Sequence, residues 1–241
     1  MTNPTWPRVA RDAVPWITTA DMIDVDRVMI DDLGIGLIQM MENAGRNLAE
    51  LVIGLHGPRS AAVYVGSGGN GGGGLVAARH LHNRGVATTV VTGRPREALS
   101  EVPGIQLAIA ERIGISVVTE PVDAELFVDA LIGYSLRGAP RGRLAELIVA
   151  LEERSTGAPI VSLDVPSGVD TTTGATPGVA VNASATLTLA LPKIGLRASP
   201  NVGRLFVGDI SVPPSVHGDL EPDVRALFGE SPIVEIASAR G

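Results

Sequence analysis

The residues best able to do chemistry sit at the ends of apolar runs. Asp129 falls inside Leu126-Phe127-Val128-Asp129-Ala130-Leu131. A carboxylate there is costly unless it meets a cation or hydrogen-bond donors, so it is either a structural Asp tied to a neighbouring loop or part of a site. The segment Gly133-Tyr134-Ser135-Leu136-Arg137-Gly138-Ala139 follows at once and favours the site. Asp164 closes Ile160-Val161-Ser162-Leu163 and opens Asp164-Val165-Pro166-Ser167-Gly168-Val169-Asp170. An Asp, a rigid Pro and a Ser-Gly turn can hold a carboxylate and a hydroxyl in fixed positions, suited to acid–base work or to ligating a hard cation. Asp170 by itself reads as a turn residue. Lys193, in Leu191-Pro192-Lys193-Ile194-Gly195, is either a surface lysine or a functional cation at a strand end. His80 and His82 lie two apart on a helix and face different ways, and His56 and His217 share no ligand spacing with them, so no metal is assigned to histidine.

A second signal is the run Gly66-Ser67-Gly68-Gly69-Asn70-Gly71-Gly72-Gly73-Gly74. It contains the GxGxxG pattern as Gly66, Gly68 and Gly71. Glycine reaches positive φ at little cost and lets backbone N–H groups approach a phosphate. A flexible turn needs one glycine, not seven in nine residues, so the run reads as a ligand loop. A dinucleotide fingerprint also calls for an acid after the next strand. That position reads Thr92-Gly93-Arg94-Pro95-Arg96, which suits a solvated loop or a contact to a 2′-phosphate and counts against a dehydrogenase.

Hydrophobic periodicity supplies the elements that carry these groups. Helices are predicted over 17–32, with Thr18 and Asp21 as a capping box, and over 37–55, 75–83, 96–113 (interrupted at Gly104) and 144–154. Strands are predicted over 61–65, 87–92, 115–118, 126–131, 159–163, 185–190 and 204–207, with residues 66–74 as a loop. Apolar strands alternating with helices imply a parallel sheet covered on both faces, with ligands beyond the carboxyl ends of its strands. One domain is expected over 17–218, with an N-terminal arm (1–16) and a weakly patterned tail (219–241).

Composition narrows the classes. Hydrophobic residues at 45% suffice for a large core, while aromatic residues at 3% leave it to Val, Leu, Ile and Ala. A net charge of −7 disfavours a general nucleic-acid role. The absence of cysteine removes thiolate chemistry and fits a cytoplasmic protein. No apolar run is long enough to span a membrane, and the first residues lack a signal peptide's apolar stretch.

Together these segments resemble the NAD(P)H-hydrate epimerase family, also called the YjeF N-terminal domain. The resemblance rests on Met41-Glu42-Asn43-Ala44-Gly45-Arg46, the glycine run continued by Leu75-Val76-Ala77-Ala78-Arg79-His80-Leu81, Asp129-Ala130-Leu131-Ile132-Gly133, the Asp164–Asp170 segment, Thr186 through Lys193, and Gly208-Asp209-Ile210. It implies a Rossmann-like three-layer sandwich, a homodimer, and epimerisation at C6 of hydrated NADH or NADPH, the S form passing to a separate dehydratase. It also implies one potassium ion per subunit, with Asn70, Asp129 and Ser167 as ligands. Substrate contacts would come from Gly69, Asn70, Gly71, Gly72 and Gly73, from Gly133, Tyr134, Ser135, Leu136, Arg137, Gly138 and Ala139, and from Asp164. Asp164 and Lys193 are the candidate catalytic pair. The family loop reads Asn-Asn-Gly-Gly-Asp-Gly, so Gly69 and Gly73 stand here in place of an Asn and an Asp. Those departures suit an alternative, a member that binds a nucleotide-like ligand as a regulatory or assembly protein. An NADP-dependent oxidoreductase ranks third, because no Tyr-Lys or His-Asp arrangement for hydride transfer is visible.

Overall fold

The computed structural model describes residues 5–218, 220 and 222–238. Five α-helices pack on one sheet. The helices are α1 (Thr19–Arg27), α2 (Leu37–His56), α3 (Gly69–Asn83), α4 (Glu101–Arg112) and α5 (Gly142–Arg154). The strands are β1 (Arg8–Val9), β2 (Ser60–Val65), β3 (Ala87–Thr92), β4 (Ser116–Val118), β5 (Leu126–Ala130), β6 (Ile160–Leu163), β7 (Ala185–Leu189), β8 (Arg204–Gly208) and β9 (Ile233–Ile236). Their order is β1-β9-β8-β7-β6-β5-β2-β3-β4. β2 through β8 are mutually parallel, and β9 runs antiparallel to β8. The chain moves outward from β2 to β4, then returns to lay β5 on the other side of β2. That reversal creates the crevice where ligands bind in open α/β sheets. Among the described residues no helix is long and apolar enough to cross a membrane.

Side-chain alternation assigns the two faces. Ala61, Val63, Val65, Leu126 and Val128 pack toward α2, α3 and α4. Ala62, Tyr64 and Phe127 pack toward Leu147, Ile148 and Leu151 of α5. Asp129 has the parity of Phe127, and the register sets it between Tyr64 on β2 and Ser162 on β6. Its first polar partner is therefore fixed by strand pairing.

The helix expected over 17–32 starts at Thr19 and keeps its capping box, with Asp21 N–H donating to Thr18 Oγ1 and Thr18 N–H to Asp21 Oδ2. Its last turn is wider than an α-helix, and Leu33 N–H reaches the Val28 carbonyl. Gly104 does not interrupt α4.

The glycine run is not one loop, because α3 begins at Gly69 and only Gly66–Gly68 connect it to β2. None of its glycines has positive φ. Close approach requires glycine at Gly66 and at Gly71–Gly74 instead, while Gly68 and Gly69 have room for a side chain. A Cβ at Gly71 would lie 1.9 Å from the Gly66 carbonyl oxygen, and one at Gly74 would lie 2.5 Å from Ala130 Cβ. Glycine costs about 1 kcal/mol per helical residue relative to alanine, and the packing of α3 on β2 and β5 overrides that local preference. The described parts of the arm and tail join the sheet. β9 pairs with β8, β1 pairs with β9, and Trp6 meets Phe206 edge-on at 5.4 Å between centroids. Asn47 of α2 ties the tail down by donating to the carbonyls of Asp209 (2.8 Å) and Pro232 (3.5 Å).

Candidate active site

A cleft of about 790 Å³ opens at the carboxyl ends of β2, β5, β6 and β7. Ser67–Asn70 form one wall, Leu131–Arg137 and Ala139–Arg141 a second, and Leu163 with Asp164 the floor. Met22, Asp26 and Ile30 come in from the first helical segment, and Met40, Met41 and Ala44 from α2. The volume is in the usual range for a small-molecule site, and the lining mixes apolar side chains with a few fixed polar groups.

Asp164 is the most constrained of those groups. It is 3% exposed and carries φ +64°. Val165 N–H donates to the Leu163 carbonyl at 2.8 Å, closing a γ-turn around it. Ala190, after the adjacent strand β7, repeats the arrangement with φ +61° and a Leu191-to-Leu189 bond of 2.8 Å. Turns of this kind are rare and strained, and surrounding structure must hold them. Here the support is visible. Asp164 N–H donates to the Leu187 carbonyl, Tyr134 N–H donates to Asp164 Oδ2 at 3.0 Å, and Lys193 Nζ donates to Asp164 Oδ1 at 2.6 Å.

Lys193 is fully buried rather than a surface lysine. Its ammonium also donates to the Leu189 carbonyl (2.9 Å) and Thr188 Oγ1 (3.3 Å), so all three protons are used. Ile17 clasps its backbone from both sides, donating to the Pro192 carbonyl and accepting from Ile194 N–H. Lys193 is not part of the cleft surface. It acts on Asp164 from behind, which makes it a positioning residue.

Asp129 is wholly buried and accepts from Ser162 Oγ (2.8 Å), Ser167 N–H (2.8 Å), Ser167 Oγ (2.5 Å) and Leu131 N–H (3.2 Å). Burial pushes its carboxyl above the usual carboxylate range, against the pull of these donors. Ser167 Oγ also accepts from Ile132 N–H at 2.8 Å, so the pair pins the start of the second wall. Asp170 is the turn residue expected, accepting from the N–H groups of Thr172 (3.0 Å) and Thr173 (2.8 Å).

Of the implied potassium ligands, Asn70 fits best. It lines the cleft, and both polar atoms of its amide are buried without a hydrogen-bond partner. A buried amide in that state wants a ligand. Ser167 Oγ keeps a free lone pair, and Asp129 supplies charge, although both already hold each other. The donor set is all oxygen, as a hard monovalent cation requires.

Gly69, Gly73, Gly133, Ser135, Leu136, Arg137 and Ala139 line the cleft as well. Gly71, Gly72 and Gly138 do not. Gly71 abuts Gly66, Gly72 abuts Met41, and Gly138 forms an exposed turn at φ +71°. A side chain at Gly73 would meet Leu163 Cδ2 at 2.7 Å. Arg94 and Arg96 are outside the cleft, Arg96 pairing with Glu111 at 3.2 Å.

The profile described as YjeF-related protein N-terminus matches residues 37–195. The chain belongs to this family. Within the YjeF family it is 48% identical over 213 residues to an NAD(P)H-hydrate epimerase of Dehalogenimonas lykanthroporepellens, covering 85% of each chain. It is 41% identical over 226 residues to a bifunctional NAD(P)H-hydrate repair enzyme Nnr of Hyperthermus butylicus, covering 87% of this chain and 42% of that protein. The crystal structure of yeast ynu0 superposes with a TM-score of 0.79 at 22% identity, covering 92% of this chain and 99% of the yeast chain, a likeness of fold.

The YjeF profile begins after α1, and reading the motifs missed what α1 contributes. Asp26 lines the cleft and accepts from the Tyr134 hydroxyl. Met22, Val25 and Met29 form the buried stripe of this segment. Asp26 stands four residues after Met22 and three before Met29, so an acid within an apolar stripe was the available signal. Arg141, exposed at the cleft edge, was also missed.

Proposed function

We propose that this chain epimerises hydrated NADH or NADPH at C6, interconverting the R and S forms. The observation that carries the reading is Asp164, a carboxylate at positive φ in the cleft floor, paired with a buried lysine and exposed to ligand on one side only. The 48% identical relative bears the name of this activity.

The chemistry suits the groups present. C6 of the hydrate carries a hydroxyl beside a ring nitrogen. Loss of that hydroxyl makes a planar iminium cation, and return of water from the other face gives the epimer. A fixed carboxylate stabilises the developing positive charge without reorganising. Asp164 meets that need, since its backbone turn, Lys193 and Tyr134 N–H all fix its position. Met22, Met40 and Met41 supply apolar walls that limit competing water. The free N–H groups at the start of α3 favour the dinucleotide's phosphates, with Arg137 and Arg141 at the edge.

Asn70, Asp129 and Ser167 would hold a potassium ion, supported by the unpartnered Asn70 amide. When bound, that ion supplies fixed positive charge against Asp129 and steadies the two cleft walls. The chain works in the cytoplasm, in keeping with its lack of cysteine, and as a homodimer, a reading supported by exposed Ile23, Leu33 and Ile38 within one short stretch. Its S product passes to a separate dehydratase.

The test is acceleration of R-hydrate conversion in potassium buffer, coupled to an S-specific dehydratase, with loss in Asp164→Asn. Unchanged activity in that variant refutes the assigned role.

A further inference from the structure

Tyr134 bridges two carboxyl groups. Its backbone N–H donates to Asp164 Oδ2, and its hydroxyl donates to Asp26. Asp26 faces the same cleft from α1, at the hydroxyl end of the tyrosine, and Lys193 Nζ lies 6.0 Å from that ring's centroid. The bridge is braced from outside. Thr171 Oγ1 bonds the Tyr134 carbonyl at 3.2 Å and meets Thr19 Oγ1 of α1 at 2.7 Å. No structural partner other than Tyr134 is bonded to the Asp26 carboxyl among the described residues, so one lobe of it stays available to the cleft.

Resting on the epimerase reading, we infer that Asp26 is the acid–base group of this site, giving a proton to the departing C6 hydroxyl and recovering it when water returns. In the forward step the C6–O bond breaks, the N1 lone pair forms the N1=C6 bond, and the oxygen leaves as water carrying the Asp26 proton. In the return step water adds to C6, the N1=C6 pair goes back to N1, and the surplus proton returns to Asp26. Asp164, held by Lys193, faces the cation throughout. Two carboxyls in different environments can divide these roles.

Burial pushes the Asp26 carboxyl above its ordinary range, as a proton donor near neutral pH needs. The ionisable groups that face it are Tyr134 after β5, Asp164 after β6 and Lys193 after β7. Asp164 raises it further, while the Tyr134 hydrogen bond and the Lys193 charge oppose the shift.

The experiment measures kcat and KM across pH for the wild-type chain, Asp26→Asn, Tyr134→Phe and Asp164→Asn. Asp26→Asn should lose roughly 10²–10⁴-fold in kcat, the usual share of a general acid, with KM little changed and the alkaline limb gone. Tyr134→Phe removes a donor to the ionised carboxyl, so its alkaline limb should move to higher pH. If Asp164→Asn is inactive but Asp26→Asn keeps kcat within about twofold, the epimerase reading stands and this inference falls. An alkaline limb unmoved by both Asp26 and Tyr134 substitutions also overturns it. A wild-type chain without activity removes both.

Discussion

Replacing Lys193 by Met should cost far more than an ordinary lysine substitution. The Nζ atom is wholly buried and bonded to Asp164, Thr188 and Leu189. Met keeps most of the stem volume but leaves the Asp164 carboxylate buried with only Tyr134 N–H as a donor. Removing one member of a buried ion pair costs about 3–5 kcal/mol, because the other charge is left without compensation. In a domain this size each kcal/mol moves the melting temperature by roughly 2–4 °C, so the drop should be about 6–20 °C. Asp164→Asn added to Lys193→Met removes the stranded charge, and Asn tolerates the left-handed backbone at this position. The double variant should therefore be less destabilised than the sum of the singles, with a coupling of roughly 1–3 kcal/mol. Thermal and urea unfolding of all four proteins at pH 7 measure the cycle. Additivity within about 0.5 kcal/mol, or a Lys193→Met cost below about 1 kcal/mol, would refute the view that the pair is buried and mutually dependent.

The glycines of α3 and α4 should respond in opposite directions. Gly71→Ala drives a Cβ into the Gly66 carbonyl and should destabilise by about 3 kcal/mol or more, whereas Gly104→Ala meets nothing within 4 Å inside α4 and should stabilise by roughly 0.5–1 kcal/mol; urea midpoints compare them. Asp170 is held below the ordinary Asp range, chiefly by the Thr173 backbone N–H. Its contribution is present above an unfolded pKa of about 3.9 and is lost as pH falls through the lower folded value, so Asp170→Ala and wild-type melting curves should differ at pH 7 and converge in strong acid. Exchanging potassium for tetramethylammonium should lower the melting temperature of the wild-type chain and leave that of Asn70→Ala unmoved, as read by thermal shift. Equal shifts in both would dissociate Asn70 from the ion.

The parallel sheet was legible because its strands are short apolar runs punctuated by glycine and polar residues, and Asp129, Asp164 and Lys193 stood out as charges at their ends. What stayed illegible depended on contacts far apart in sequence. Gly71–Gly74 have poor helix propensity, yet they are helical, packed where Gly66, Met41, Leu163 and Ala130 leave no room for side chains. β9 follows a stretch of weak periodicity, and its pairing with β8 comes from across the sheet. The burial of Lys193 rests on Ile17, some 176 positions earlier by number, closing over its backbone. Asp26 carried a local signal, an acid in an apolar stripe, but its partner Tyr134 lies 108 residues away.

The most direct test of the central claim is epimerisation by the purified chain. The R form of hydrated NADPH is supplied in potassium buffer with an S-specific dehydratase in excess, and NADPH formation is followed against the spontaneous rate. The account predicts clear acceleration by the wild-type chain and its loss in Asp164→Asn, with the variant still folded by thermal melt. A rate no faster than the spontaneous one, from a folded wild-type chain that still binds the dinucleotide, would contradict it and leave a binding protein with Gly69 and Gly73 where the family loop carries Asn and Asp.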